Sequence, residues 1–232
     1  MALTGTLKAE VEKFFSDVWT TRDGRVVPEA TDLKLSNDAV KLDGAVLYAD
    51  LAESTNLVRE YSAGIAAEVY KSYLHCASKL IKQNDGVITS FDGDRVMAVY
   101  IGDGKETRAM RTALAINYAV LFIINPELQK MYGSTVKNLV VQQAVGVDVS
   151  SLFVARTGVR GDNDLVWVGN AANNAAKLCG LRVDPYASWV TKAVYDAADN
   201  TVKTANKGLT NMWEARIWNG RSVYRSSYHW EQ

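Results

Sequence analysis

Histidine, cysteine and proline are almost missing from this chain: two, two and three of them among 232 residues. Cys76 and Cys179 lack the close spacing of a metal knuckle, so the chain carries no disulfide framework, and its thiols read as reduced. His75 and His229 have no partner at ligand spacing, which excludes a histidine-based metal centre. An excess of one charge is also missing. With 26 basic and 26 acidic residues, the bulk positive charge that nucleic-acid binding relies on is absent. Long apolar runs are absent too. The longest, "ALAINYAVLFII" at 113–124, is about half the ~20 residues of a membrane span and reads as a buried helix. The start, "MALTGTLKAEVEKFF", shows no basic segment followed by an apolar one, so no secretory signal is visible. The expectation is a cytoplasmic protein with neither nucleic acid nor membrane as partner.

What is present suits a packed domain: 48% of residues are hydrophobic and 22% charged. Leu7, Val11, Phe14, Phe15 and Val18 recur at helical spacing. They predict an amphipathic N-terminal helix, packed either on its own core or over a dimer. Residues 21–43 read as a polar connector, which divides the chain into 1–43 (helix and connector) and 44–232 (main domain). "GAVLYAD" (44–50) is a continuous apolar run, as in a strand buried on both faces. A helical pattern follows to about Gln83, broken near Gly64, with Ser54 or Thr55 as its cap. Two strands, "VITSF" and "RVMAVYI", flank "DGD", and a helix from Lys105 is expected to stop at Pro126. "NLVVQQAVGVDV", "LFVAR" and "LVWVG" read as three strands, and "NAANNAAKLCGL" as a helix. The order β-α-β-β-α-β, with additions, is the ferredoxin-like α+β plan: an antiparallel sheet with helices on one face.

"VITSFDGDRVMAVY" (87–100) holds two carboxylates, Asp92 and Asp94, at the tip of an otherwise apolar hairpin. In this plan the first and third core strands are neighbours, which brings Asp94 towards Asp50. Converging carboxylates repel unless one is protonated or a cation joins them. Carboxylate and carbonyl oxygens suit Mg²⁺ or Mn²⁺, and the start of the "LAEST" helix suits phosphate. Spacing alone also allows a plainer account, with Asp92-Gly93 a turn and Asp50 a helix cap.

Four segments carry a resemblance. "YADLAESTNL", "FDGDRVMAVY", "VGVDVSSLFVARTG" and "VWVGNAANNAAKL" are similar, in order, to the motif blocks of class III nucleotide cyclases across roughly residues 44–180. "IGDGK" (101–105) spells the hairpin motif more closely than "FDGDR" but precedes a helix, where the family places a strand. The resemblance implies that Asp50, Asp94 and the Leu51 carbonyl bind two divalent metal ions, Mg²⁺ or Mn²⁺. It implies that Asn173 orients the ribose, and that Lys177, four residues on, stands where the family has its transition-state arginine. It implies a homodimer with shared sites, one chain supplying Asp50 and Asp94 and the other Asn173 and Lys177.

Two departures stand out. Lys177 offers a point charge in place of a planar guanidinium, a loss that Arg156 or Arg160 is placed to offset. The purine-reading positions hold Ser90 and Val166, so the groups that select adenine or guanine are missing. Ser90 or Asp92, with Tyr48 as filler, then suits a smaller base. The chain thus resembles the pyrimidine cyclases of bacterial anti-phage (Pycsar) defence, which implies UTP converted to cyclic UMP, with CTP as second choice. The cyclic nucleotide would act on a separate effector that this chain does not bind. An adenylyl cyclase with an unusual pocket, and an inactive nucleotide-binding or dimerisation module, remain alternative readings.

Overall fold

The computed structural model describes residues 2–137 and 139–232. Its centre is a long strand, β2 (Asp38–Leu51), whose odd-numbered residues Ala45, Leu47 and Ala49 face one core and whose even-numbered Val40, Leu42 and Val46 face another. Period-two alternation with both faces buried accounts for the continuous apolar run. Helices α2 (Ser54–Glu60) and α3 (Ala63–Gln83) lead into the hairpin β3 (Val87–Asp92) and β4 (Arg95–Ile101), and α4 (Lys105–Ala119) returns to β5 (Gln143–Val159). The order β5-β2-β4-β3 is that of a ferredoxin-like core. The sheet extends through β6 (Asp162–Val168), β7 (Ser188–Thr191), β10 (Glu214–Trp218) and β11 (Arg221–Ser226), while β8 (Thr204–Ala205) and β9 (Thr210–Asn211) form a separate ribbon. The short helix α7 (Lys192–Ala197) follows β7 directly.

Helices α3 and α4 share one face, as expected, but α6 (Asn170–Leu178) packs on the other. Gly146 of β5 permits this: a Cβ there would lie 2.2 Å from the Ala175 carbonyl oxygen and 2.6 Å from the Cys179 nitrogen. Both are backbone atoms that cannot yield locally. Gly146→Ala is therefore expected to cost about 3 kcal/mol, lowering the melting temperature by about 10 °C in a calorimetric scan.

The segment 21–43 is more than a connector. β1 (Thr20–Asp23) pairs in parallel with the start of β2, so the division after residue 43 falls within a continuous strand. Arg22 Nη1 donates to Asp38 Oδ1 at 2.7 Å and the Lys34 amide to Oδ2 at 3.0 Å. Burial alone would raise the Asp38 pKa, but the Lys34 amide and the Arg22 hydrogen bond and charge hold it below its ordinary 3.8. A lowered carboxylate contributes stability above its unfolded value and loses it as pH falls through the folded one. Urea midpoints should therefore show Asp38→Asn less stable than wild type at pH 7, with the gap narrowing by pH 3.

Three expectations are corrected. Pro126 does not stop the helix: a π-turn over Val120–Ile124 resets the register, and α5 (Asn125–Tyr132) starts anew with proline in its first turn, where no amide is needed. "NLVVQQAVGVDV" and "LFVAR" are one strand from Gln143, and Asn138 at the start of that stretch lies outside the described residues. Helix α1 (Leu3–Ser16) does not pack on its own core. None of its residues is buried, and its end is held where Asn37 Nδ2 donates to the Phe14 and Asp17 carbonyls. The stretch Lys105–Val136 is long and apolar enough to cross a membrane by composition, yet its apolar window is 61% buried within this fold.

Candidate active site

Asp50, the last residue but one of β2, stands directly opposite Arg95, the residue after Asp94. Gly93, at φ +60°, takes the first central position of the two-residue turn, a place that II′-type turns reserve for glycine. The hairpin thereby delivers Asp94 beside Asp50. The two carboxylates are treated differently. Asp50, 7% exposed, accepts from Arg95 Nε at 3.2 Å on Oδ1 and from Arg182 Nη2 at 2.7 Å on Oδ2. Arg182 also reaches the Leu51 carbonyl at 3.4 Å. Asp94 Oδ2 is buried with no hydrogen-bond partner among the described residues. A buried oxygen without a partner is costly, and a cation is a group that would relieve it. Together, Asp50, Asp94 and the Leu51 carbonyl form the all-oxygen donor set that Mg²⁺ or Mn²⁺ takes.

Tyr73, fully buried in the core that also holds Leu51 and Val96, has a hydroxyl with no partner among the described residues. Burial pushes its phenol well above the ordinary value, and the charges of Asp50, Cys179 and Asp94 add to the shift. Burial and the Asp50 charge likewise push the Cys179 thiol up to about 12, which leaves it an inert packing group.

The other predicted residues are distributed as follows. Asn173 and Lys177 share the exposed face of α6, and neither side chain has a partner among the described residues. The first turn of α6 is held by Ser150 Oγ, which accepts from the Ala171 amide at 3.0 Å. Ser150 stands opposite Gly44, six residues or about 20 Å along β2 from Asp50. A single chain therefore unites Asp50 with Asp94 but leaves Asn173 apart from them. Ser90, half-buried, follows the bulge in β3, and Val166, 39% exposed, lies on β6. Tyr48 is half-buried, with the Arg95 guanidinium 6.0 Å from its ring centre, and Asp92 is exposed at the hairpin tip. Arg156 is occupied by Asn163 and the Leu33 carbonyl, so it is not free to assist Lys177.

Ser54 and Thr55 do not cap the helix. Glu53, at φ +56°, is the N-cap without a side-chain hydrogen bond, and α2 spans only seven residues, too short a dipole for the phosphate cradle expected there. A cavity of about 800 Å³ between α3 and α5, lined by Leu74, Phe91, Ile124 and Leu128, is apolar and includes neither Asp50 nor Asp94.

Sequence reasoning missed Arg95, Arg182 and Asp148. Asp148, 4% exposed, accepts from Asn174 Nδ2 at 2.8 Å and Thr191 Oγ1 at 2.5 Å, while Arg221 donates to Asn174 at 3.1 Å. This network clamps α6 to the sheet and so positions Asn173. A charged residue inside the apolar run "VGVDV" was the available signal.

No family model matches this chain. It is 45% identical to a protein named uridylate cyclase from Xanthomonas perforans, over 97% of this chain and 98% of the relative. It is 43% identical to one of the same name from Burkholderia cepacia, over 99% of both. Among solved structures it resembles the guanylyl cyclase Cya2, with a TM-score of 0.66 at 14% identity over 82% of this chain and 94% of that one. It also resembles the adenylyl cyclase CyaB from P. aeruginosa, with a TM-score of 0.62 at 16% identity over 81% and 95%.

Proposed function

Because the chain belongs to the uridylate cyclase family and has the class III cyclase fold, we propose that it converts UTP to 3′,5′-cyclic UMP and pyrophosphate. The observation that carries this reading is the carboxylate pair: Asp94 keeps a buried oxygen free beside Asp50 in a chain with near full-length uridylate cyclase relatives. Asp50, Asp94 and the Leu51 carbonyl would hold two Mg²⁺ or Mn²⁺ ions. Bound there, such ions acidify a hydroxyl and stabilise phosphoryl oxygens.

The chain's own residues supply the rest. Asn173 orients the ribose so that its 3′-hydroxyl attacks the α-phosphorus in line and pyrophosphate departs. Lys177 neutralises the charge that develops on the phosphoryl oxygens. Ser90 and Val166, with Tyr48 and Asp92, form a base pocket without purine-reading groups. Ser54 and Thr55, just past Leu51, would meet the triphosphate with their hydroxyls rather than with a helix dipole. Asn173 and Asp50 are apart within one chain and Asn173 is exposed, so the site is completed across a head-to-tail homodimer. The exposed stripe of α1, from Leu3 to Phe14, belongs to that assembly. The enzyme works in the cytoplasm, and its product serves as a second messenger for a separate effector in anti-phage defence.

Incubation with ATP, GTP, CTP and UTP separately, each with Mn²⁺, followed by mass spectrometry tests the reading. Cyclic UMP should dominate. Predominant cyclic AMP would move the chain to an adenylyl cyclase with an unusual pocket, and absence of any cyclic product would make it a binding module.

A further inference from the structure

We propose that Arg182 is a displaceable counter-ion, holding Asp50 in the metal-free chain and leaving it when a divalent cation arrives. The inference rests on Asp50 being a cation ligand. Arg182 Nη2 lies 2.7 Å from Asp50 Oδ2 and 3.4 Å from the Leu51 carbonyl oxygen. These are the two oxygens that Asp50 and Leu51 would offer the ion, and a guanidinium and a cation cannot share the same lone pairs.

A buried carboxylate needs one counter-charge; Asp50 has two. Arg95 belongs to the rigid strand β4 and takes the other oxygen, Oδ1. Arg182 lies in the irregular segment after α6, with its side chain 32% exposed. Its other bonds among the described residues go to the Cys179 and Leu181 carbonyls, at 2.5 and 3.3 Å. Arg95, 35% exposed, covers Oδ1 alone, whereas Arg182 covers both the Asp50 Oδ2 and the Leu51 carbonyl oxygen, so Arg182 is the guanidinium that an ion on those two oxygens must displace. Displacement leaves a planar, permanently charged fork at the lip of the site, suited to triphosphate oxygens. The same contact ties Asp50 to the end of α6, the helix that carries Asn173 and Lys177.

Mn²⁺ binding to the full chain, followed by the electron paramagnetic resonance of free Mn²⁺ without nucleotide, tests this. Arg182→Gln should bind Mn²⁺ about tenfold more tightly than wild type, the worth of one charge-assisted hydrogen bond. Arg182→Lys should fall between them, and Asp50→Asn should abolish the difference. Unchanged or weaker binding in a folded Arg182→Gln protein overturns the inference. Should that variant not fold, the ¹⁵Nε resonance of Arg182 in wild type serves instead. Mg²⁺ should shift it, and Mg²⁺ bound with that resonance unmoved overturns the inference. If Asp50→Asn binds Mn²⁺ as well as wild type, the assignment of Asp50 as a ligand has failed instead.

Discussion

A heterodimer of one Asp50→Ala chain and one Asn173→Ala chain, purified through two different tags, should make product at about half the wild-type rate, one of two equivalent sites being intact. Each variant alone should be inactive. The effect follows from placement. The first turn of α6 is tied to Ser150, opposite Gly44 and about 20 Å from Asp50. Asn173 is exposed there and has no partner among the described residues, while Asp148, itself bonded to Thr191, ties the helix to the sheet through Asn174. If the heterodimer forms and stays inactive, the two halves do not complement one another across the interface.

The second large effect has opposite signs in two measurements. Asp94→Ala should lower activity about a thousandfold, several kcal/mol of transition-state stabilisation. The same substitution should raise the melting temperature of the metal-free protein by about 3 °C, because it removes a buried oxygen that has no partner, worth about 1 kcal/mol. A purely structural Asp94 would show both quantities falling together. Strain kept at a functional site and relieved by its loss is the expected trade.

The acidic hairpin tip, the apolar strand ending at Asp50 and the α6 face carrying Asn173 and Lys177 were legible because each is a local pattern: alternation, a turn residue, a four-residue spacing. The break between α2 and α3 was legible for the same reason, and the core strand order followed from the β-α-β-β-α-β plan. What was hidden depends on contacts distant in sequence. Arg182 meets Asp50 across 132 positions, and no local spacing announces such a pair. The Ser54 and Thr55 cap failed because Glu53, in the left-handed region, took the N-cap position. Pro126 misled because proline also suits the first turn of a new helix, and the π-turn before it leaves no compositional trace. The exposure of α1 reflects an amphipathic helix whose partner is not its own core.

Crystals grown with Mn²⁺ and a non-reactive UTP analogue provide the most direct measurement. Anomalous scattering should place manganese between Asp50 and Asp94, coordinated by the Leu51 carbonyl, with the ribose against Asn173 of a second copy. Manganese found elsewhere, with Asp94 Oδ2 still unligated, would contradict the account.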